Sequence, residues 1–333
     1  MRITRDLLLS LARDNAAKMA ARDRSLVCAY IVGSLLREDP FLGEVTDIDL
    51  VCVHDKEIKQ SREIVRVNAD IHLDVTHLPQ SLFEDTQTLR ADPWIGGTLD
   101  ESPLALRDAQ HWFDFTRATI TGSFWKPEYV MARVNSFAGR ARQTWQLLAD
   151  DGLPQGIKRT EAYLNTLNDA INAVACINGA PLTTRRILLD LPERAYALDM
   201  PDLAAGLIYQ YTNDAFTEEN WAAWMPQWQA SFDAMAAVKA APLDVIPTRK
   251  NYYWKAASGF AEEHPAGALW IMLRTWTQMA AVLPKSEQPY KDWLAFTRVL
   301  ELDSRGLPGR LESLDQLLES VELTVEKWRA DHV

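Results

Sequence analysis

The sequence predicts an α+β protein in which the strands lie in the first third of the chain and helices fill the rest. Apolar and β-branched runs typical of buried strands occur at residues 26–32 and 48–53. After about residue 110, apolar residues instead recur every three or four positions, as in amphipathic helices. Eleven of the twelve tryptophans also lie beyond residue 110. We therefore expect two domains, residues 1–108 and 109–333, in agreement with a length of 333 residues.

The first region contains a helix and at least four strands. Residues 3–22 have apolar positions at helical spacing among charges, which predicts a helix before the first strand. Residues 64–67 and 71–78 predict a hairpin whose turn is Asn68-Ala69-Asp70. Side chains alternate along a strand, so the second arm has an apolar face and a polar face. The apolar face carries Ile71, Leu73 and Val75, and the polar face carries Asp70, His72, Asp74 and Thr76.

The second region is predicted to be helical throughout. Three apolar stripes with steps of three and four residues indicate helices that each bury one side. These stripes are Val130, Val134, Phe137, Ala141 and Leu148; Leu164, Leu167, Ile171 and Val174; and Leu311, Leu314, Leu318, Val321, Val325 and Trp328. The spacing reports packing and does not identify a ligand.

Composition narrows the classes of function. The net charge of −11 argues against general affinity for nucleic acid, because phosphate binding needs an excess of Lys and Arg. No apolar run reaches the roughly 18 residues of a membrane span, and the start of the chain does not resemble a signal peptide, so we expect a cytoplasmic protein. The three cysteines have no CxxC spacing, which predicts reduced core residues and no thiolate zinc site.

A set of acidic residues in the strand region predicts a metal site. Asp47 and Asp49 are two residues apart at the head of a strand, so both carboxylates face one side while Ile48 packs on the other. Oxygen ligands concentrated in this way suit a hard cation such as Mg²⁺. Asp74, on the polar face of the hairpin strand, is the expected third ligand, with Asp70 as its competitor.

A Gly-Ser pair follows the first strand directly. Gly33 lets the backbone approach a phosphate closely, and the Ser34 hydroxyl together with N–H groups at the following helix start can bind phosphate oxygens.

Taken together, the hxGS motif at Gly33-Ser34, the hDhD pair at Asp47 and Asp49, and the later acidic strand with Asp74 resemble the DNA polymerase beta nucleotidyltransferase superfamily. The resemblance covers roughly residues 1–108. It implies a mixed-sheet catalytic domain followed by an all-α C-terminal domain, similar to aminoglycoside nucleotidyltransferases and related small bacterial proteins. One departure is Glu38, which stands where the pattern often has another glycine.

The resemblance also implies roles for individual residues. Gly33 and Ser34 would bind the triphosphate of ATP or another NTP, with Arg37 on a phosphate. Asp47 and Asp49 would hold two Mg²⁺ ions, and Asp74 would hold one of them near the acceptor hydroxyl.

Several alternatives stay open for other residues. His72 shares the face of Asp74, but His72 and His77 are more typical of structural strand histidines. Glu161 and Asp169 are candidate general bases in the helical region, where solvated helix charges are the commoner role. The run 249–255 mixes basic and aromatic residues, as in nucleic-acid binding or in the first turn of an amphipathic helix.

Three functions are compatible with these residues. The first is an enzyme that transfers a nucleoside monophosphate, AMP from ATP by default, to a hydroxyl of a small molecule, for which the acidic chain favours a cationic, aminoglycoside-like acceptor. The second is a nucleotidyltransferase of the toxin–antitoxin type that modifies a protein or tRNA. The third is an inactive nucleotide-binding module whose helical domain binds a protein partner. The sequence does not predict an oligomeric state.

Overall fold

The structure is a computed structural model that describes residues 3–108 and 111–333, apart from the side chain of Phe260. It confirms the α+β class, because strands and helices form one part of the chain and the described residues from 111 onward are helices and turns. The chain divides into two compact units, Met1–Val130 and Met131–Val333. The predicted domain boundary after residue 108 falls beside residues 109 and 110, which lie outside the described residues.

The first unit is built on a mixed sheet. Its elements are α1 (Arg5–Arg22), β1 (Leu26–Val32), β2 (Ile48–His54), β3 (Arg62–Arg66), β4 (His72–Pro79), α2 (Thr86–Ala91), α3 (Ile95–Asp100), β5 (Leu104–Asp108) and α4 (Trp112–Thr121). The strands of the described residues form a five-stranded sheet in the order β3-β4-β2-β1-β5. Strands β2 and β4 run parallel, and the other neighbouring pairs are antiparallel. β2 is the central strand and β4 lies beside it, so the register between them determines which of their side chains lie next to one another.

One face of the sheet packs against α1. This helix begins with the Thr4 side chain accepting a hydrogen bond from the Leu7 N–H, and it buries Leu8, Ala12 and Ala16. The sheet contributes to the same apolar core the side chains of Ile31, Leu50, Ile71, Leu73 and Val75. The predicted apolar face of the hairpin strand is therefore confirmed, and the polar side chains of β4 must face the other way.

The opposite face of the sheet has a second apolar core. From β1 and β2 it takes Tyr30, Val32, Val51 and Val53. Side chains from the helices that follow β4 complete it: Phe83, Leu89, Leu99, Phe113 and Ile120. Asp49 lies on this face of β2, two residues before Val51, and polar side chains replace the apolar core at that end of the strand.

The hairpin turn fixes the register of β3 on β4. The Asn68 Oδ1 accepts hydrogen bonds from the N–H groups of Asp70 (2.8 Å) and Ile71 (2.9 Å), so the side chain replaces a backbone acceptor within the turn. In the resulting antiparallel pair, Ile64 lies opposite Asp74. The hairpin begins two residues earlier than the sequence predicts, because Arg62 already pairs with Thr76.

The second unit consists of helices. Beginning with α5, whose first turn precedes the division at Val130, the helices are α5 (Pro127–Ala149), α6 (Ile157–Asn178), α7 (Ile187–Tyr196), α8 (Leu203–Tyr209), α9 (Glu218–Ala234), α10 (Lys250–Phe260), α11 (Pro265–Ala280), α12 (Gln288–Val299) and α13 (Leu311–His332). The predicted stripes on α5 and α6 are fully buried, and the central residues of the α13 stripe are buried as well.

All three cysteines are buried free thiols, and burial raises the pKa of Cys52 and of Cys176 to about 12.

The aromatic and basic run at 249–255 comprises the residue before α10 and the first six residues of that helix, and it is partly buried in the second unit. Arg249, Tyr252 and Tyr253 are all buried. The Arg249 guanidinium lies 4.3 Å from the centre of the Tyr252 ring, and that of Arg185 lies 3.7 Å from the same centre. These rings are packing partners of buried arginines and are not presented for stacking on a nucleobase. Within the described residues, no helix is both long enough and apolar enough to cross a membrane.

The buried stripe on α6 leads to a stability prediction. Leu167 is 0% exposed, so Leu167→Ala should lower the free energy of unfolding by about 2–5 kcal/mol through lost burial and a residual cavity. Leu323 on α13 is 71% exposed and provides a matched control, for which the change should stay within about 0.5 kcal/mol. Urea unfolding followed by far-ultraviolet circular dichroism measures both. Equal effects of the two substitutions would contradict the packing of α6.

Candidate functional site

The site begins where β1 ends. After Val32 the chain enters a four-residue 3-10 helix, Gly33–Leu36, at the place where the sequence predicts a helix start. Gly33 has a φ of +74°, a conformation that disfavours residues with a Cβ. A Cβ built on Gly33 would lie 2.4 Å from the Oδ2 of Asp49. Glycine is thus required here by both backbone conformation and space, and the space it leaves is taken by a carboxylate.

The loop between β1 and β2 closes back on this turn. Leu42 and Val45 exchange two backbone hydrogen bonds around Gly43 and Glu44, both of which have positive φ, as in a type I′ turn. The chain then reaches Thr46, which is 1% exposed and whose Oγ1 lies 2.8 Å from the Ser34 Oγ. This hydroxyl pair ties the Gly-Ser turn to the segment that carries the first two aspartates.

The parallel pair of β2 and β4 brings three carboxylates together. Asp49 lies beside Asp74 in the register, and Asp47 precedes β2 by one residue. One oxygen from each of Asp47, Asp49 and Asp74 lies within 4.8 Å of the other two. Asp47 and Asp74 are 4% and 7% exposed, and Asp49 is partly buried. We call these three residues the carboxylate cluster.

Like charges at this separation repel one another. Two unit charges 4.8 Å apart interact by about 3 kcal/mol at an effective dielectric constant of about 20. An arginine opposes this repulsion. The Arg62 Nε donates to the Asp74 Oδ1 at 2.7 Å, and its Nη2 donates to the Asp74 Oδ2 at 2.6 Å, a two-point ion pair.

Sequence reasoning missed Arg62 because the predicted strand began at residue 64. The sequence nevertheless contains a signal for Arg62, in its distance from the Asn68 turn. Counting backward from the Asn68 turn places Arg62 opposite Thr76, on the same face as Asp74 and diagonal to it. Long side chains reach such diagonal neighbours across two strands.

The donor set of the carboxylate cluster suits a hard divalent cation. All three ligand groups are carboxylates, they converge from two adjacent strands, and glycine at position 33 leaves room for the Asp49 carboxylate. Mg²⁺ prefers oxygen ligands of this kind and usually keeps several waters. The residues present therefore fit Mg²⁺ better than a metal that favours sulfur or imidazole ligands.

The remaining predicted site residues lie around the cluster or apart from it. Gly33 and Ser34 adjoin it through Asp49 and Thr46, as described above. Arg37 follows the 3-10 helix, with its N–H donating to the Ser34 carbonyl (3.0 Å) and its side chain exposed. Asp70 lies in the hairpin turn, outside the group of three. His72 is 1% exposed and lies on the polar face of β4.

The candidate general bases belong to the second unit and take part in ion pairs there. Asp169 accepts two hydrogen bonds of 3.1 Å from Arg140, and Glu161 pairs with Lys158 at 3.0 Å, one helical turn away. Both acids lie on α6. These contacts are those of structural helix charges and give neither residue a chemical role.

A second polar network occupies the other end of β2 and β4. The His54 Nε2 lies 3.0 Å from the His77 Nδ1, the His77 Nε2 lies 3.3 Å from Glu63, and the Ser25 hydroxyl lies 3.1 Å from the His54 Nδ1. Burial lowers the pKa of His54, and the neighbouring His77 lowers it further. His77 is thus a structural strand histidine, as its sequence context favours. A further group of Asp108, His111 and Asp114 is largely exposed, and Asp108 caps α4 by accepting from the Phe113 N–H.

No protein-family model matches the chain, and a search of curated proteins finds none that matches its sequence. The assignment of a function therefore depends on the chemistry of the carboxylate cluster and its surroundings.

The conformation of Gly33 leads to a second stability prediction. Gly33→Ala should lower the free energy of unfolding by more than about 1 kcal/mol, because its φ is positive and the new Cβ would meet the Asp49 carboxylate. Gly139→Ala is the matched control. That glycine lies within α5 with nothing within 4 Å of an added Cβ, so the change should stabilise by about 0.5–1 kcal/mol. Thermal unfolding of the two variants should show melting temperatures that shift in opposite directions, and a rise for Gly33→Ala would contradict the described turn.

Proposed function

We propose that the chain is a metal-dependent nucleotidyltransferase of the DNA polymerase beta type. It transfers a nucleoside monophosphate, AMP from ATP by default, to a hydroxyl of a small molecule and releases pyrophosphate. The observation that carries this proposal is the convergence of Asp47, Asp49 and Asp74 from two parallel strands, next to the Gly33-Ser34 turn. The sequence motifs and the spatial cluster are separate arguments that select the same residues.

The three aspartates supply the ligands that this chemistry needs. Asp47 and Asp49 present two carboxylates at the start of β2, and Asp74 presents a third from the neighbouring strand β4. Asp47, Asp49 and Asp74 would hold divalent cations, which when bound would offset the charge of the triphosphate and lower the pKa of the attacking hydroxyl. We assign Asp74, on the neighbouring strand β4, to the metal ion nearest the acceptor hydroxyl.

The turn after β1 has a role in nucleotide binding. Gly33 has no side chain to block a phosphate, and Ser34 is held by Thr46, so its hydroxyl is fixed in position before any ligand binds. A donor that is held in advance loses little freedom on binding. Arg37, exposed at the end of the same turn, supplies a positive charge for a phosphate.

The acceptor is proposed to be a cationic small molecule, such as an aminoglycoside-like compound. The chain has a net charge of −11, which disfavours a polyanionic acceptor such as tRNA and favours a positively charged one. Three residues of the run at 249–255, namely Arg249, Tyr252 and Tyr253, are buried within the second unit, which leaves fewer of its basic and aromatic groups to contact RNA.

The proposal predicts nucleotide binding that depends on the cluster. Asp47→Asn and Asp49→Asn preserve shape but remove a charged ligand, so each should weaken Mg²⁺-dependent binding of a non-hydrolysable ATP analogue by more than about tenfold. Loss of a partner outside the ligand shell alone weakens metal affinity by roughly 10–100-fold. Isothermal titration calorimetry with and without Mg²⁺ measures this effect, and circular dichroism checks that the variants fold.

Asp70→Asn is the matched control, because it removes an aspartate from the nearby hairpin turn and should leave binding within about twofold of wild type. Unchanged binding in both Asp47→Asn and Asp49→Asn would reject the proposal. Transfer of label from α-labelled ATP then separates acceptor classes. Label in cationic small molecules supports the acceptor proposed, whereas label in protein or tRNA overturns that part alone.

A further inference from the structure

The ion pair between Arg62 and Asp74 places a fixed positive charge at the carboxylate cluster. Arg62 donates from Nε and Nη2 to the two separate oxygens of Asp74, at 2.7 and 2.6 Å. Asp74 is 7% exposed, whereas the Arg62 side chain is 36% exposed. The carboxylate is therefore the more buried partner of the pair, and the arginine is the more exposed one.

In this geometry Arg62 and a cation would compete for the same oxygens of Asp74. The two-point pair uses a lone-pair direction on each oxygen of Asp74, and a cation ligated by Asp74 needs one of the same oxygens. A guanidinium next to the cluster also repels an incoming dication, whichever lone pair the dication takes. Both effects lower the affinity of the cluster for a divalent cation.

Arg62 also has an effect that raises the affinity for a cation, and this effect is the smaller one. Arg62 also orients Asp74, and losing that restraint would weaken cation binding. However, Asp74 lies within a regular strand, paired with Asp49 on one side and Ile64 on the other, and its short side chain has few conformations to restrict. The charge effect acts on a dication over several ångströms and is the stronger of the two.

We propose that Arg62 is a positioning residue that competes with a divalent cation for Asp74: it holds the third carboxylate of the cluster in the cation-free protein and releases it when a cation binds. This inference rests on the proposed metal-binding function of the cluster. It adds a built-in competitor that sets the cation affinity and keeps three carboxylates compatible with the folded sheet before a cation arrives.

The test measures the affinity of the purified protein for Mn²⁺ alone, from the electron paramagnetic resonance signal of free Mn²⁺. Arg62→Met removes the charge but keeps an unbranched side chain, and it should lower the Kd for Mn²⁺ by about tenfold or more, the ratio expected for removing one unit charge near a dication. Arg62→Lys keeps the charge but lacks the two-point fork, so its Kd should lie between those of Arg62→Met and wild type.

Arg66→Met is the matched control. Arg66 is also diagonal to Asp74 on the same strand, but its side chain is exposed and its Nε donates to the Asn68 carbonyl at 3.2 Å, so its removal should leave the Kd within about twofold of wild type. A second comparison isolates the competition. In an Asp74→Asn background, Arg62→Met should lower the Kd by a smaller factor than in the wild-type background, because the contested ligand is gone and only the charge repulsion remains. An equal factor in both backgrounds would overturn the competition for Asp74. If Arg62→Met does not fold, Arg62→Lys in the wild-type and Asp74→Asn backgrounds provides the same comparison.

The outcomes separate this inference from the proposed function. Mn²⁺ binding that is absent in wild type, or equal in wild type and Asp47→Asn, rejects the proposed function. Binding that depends on Asp47 but is the same in Arg62→Met and Arg66→Met overturns the inference and leaves the proposed function standing. Weaker binding in Arg62→Met also overturns it, because Arg62 would then orient Asp74 without competing for it.

Discussion

The parallel pairing of β2 with β4 is the constraint on which the candidate site depends. In this register Asp49 lies beside Asp74, with Val32 of β1 on its other side. A shift of β4 by one residue would reverse the direction of every side chain on that strand. Asp74 would then point into the core beneath α1, and Leu73 would face the cluster. The position of Asp74 thus depends on the apolar residues on the α1 side of β4 as well as on the contacts of Asp74 itself.

The cluster is stable because apolar cores on both faces of the sheet hold the strands in place. Three carboxylates within 4.8 Å repel one another, and the sheet keeps them close through the burial of side chains such as Leu50, Leu73 and Val75. Arg62 offsets part of the repulsion by pairing with Asp74, the carboxylate of the cluster that lies on β4. Gly33 removes a side chain where Asp49 needs room. The site is an arrangement that the fold imposes on groups that would otherwise separate.

Residue patterns could predict the elements and the facing of their side chains because both depend on neighbours in sequence. The hairpin could be predicted from the alternation of Ile71, Leu73 and Val75 and from the turn residue Asn68. The helices α5 and α6 could be predicted from the spacing of their apolar stripes. What could not be predicted depends on pairing across the chain. The bond between Ser34 and Thr46 spans a twelve-residue loop, and the Arg62 pair depends on a strand that starts earlier than its apolar residues indicate.

The two polar networks on β2 and β4 differ in a way that bears on function. At the far end, His54, His77 and Glu63 form a chain in which each ring nitrogen faces a group that can complement it, so the network can be satisfied by its own members. In the carboxylate cluster, oxygens face oxygens. Carboxylates accept hydrogen bonds and cannot donate them when ionised, so no arrangement of the three can satisfy them mutually. A buried polar network that is complementary needs no ligand to explain it. A cluster of like charges held together by the fold is complementary to positive charge, which Arg62 supplies at Asp74 and which the proposed cation would supply to the cluster as a whole.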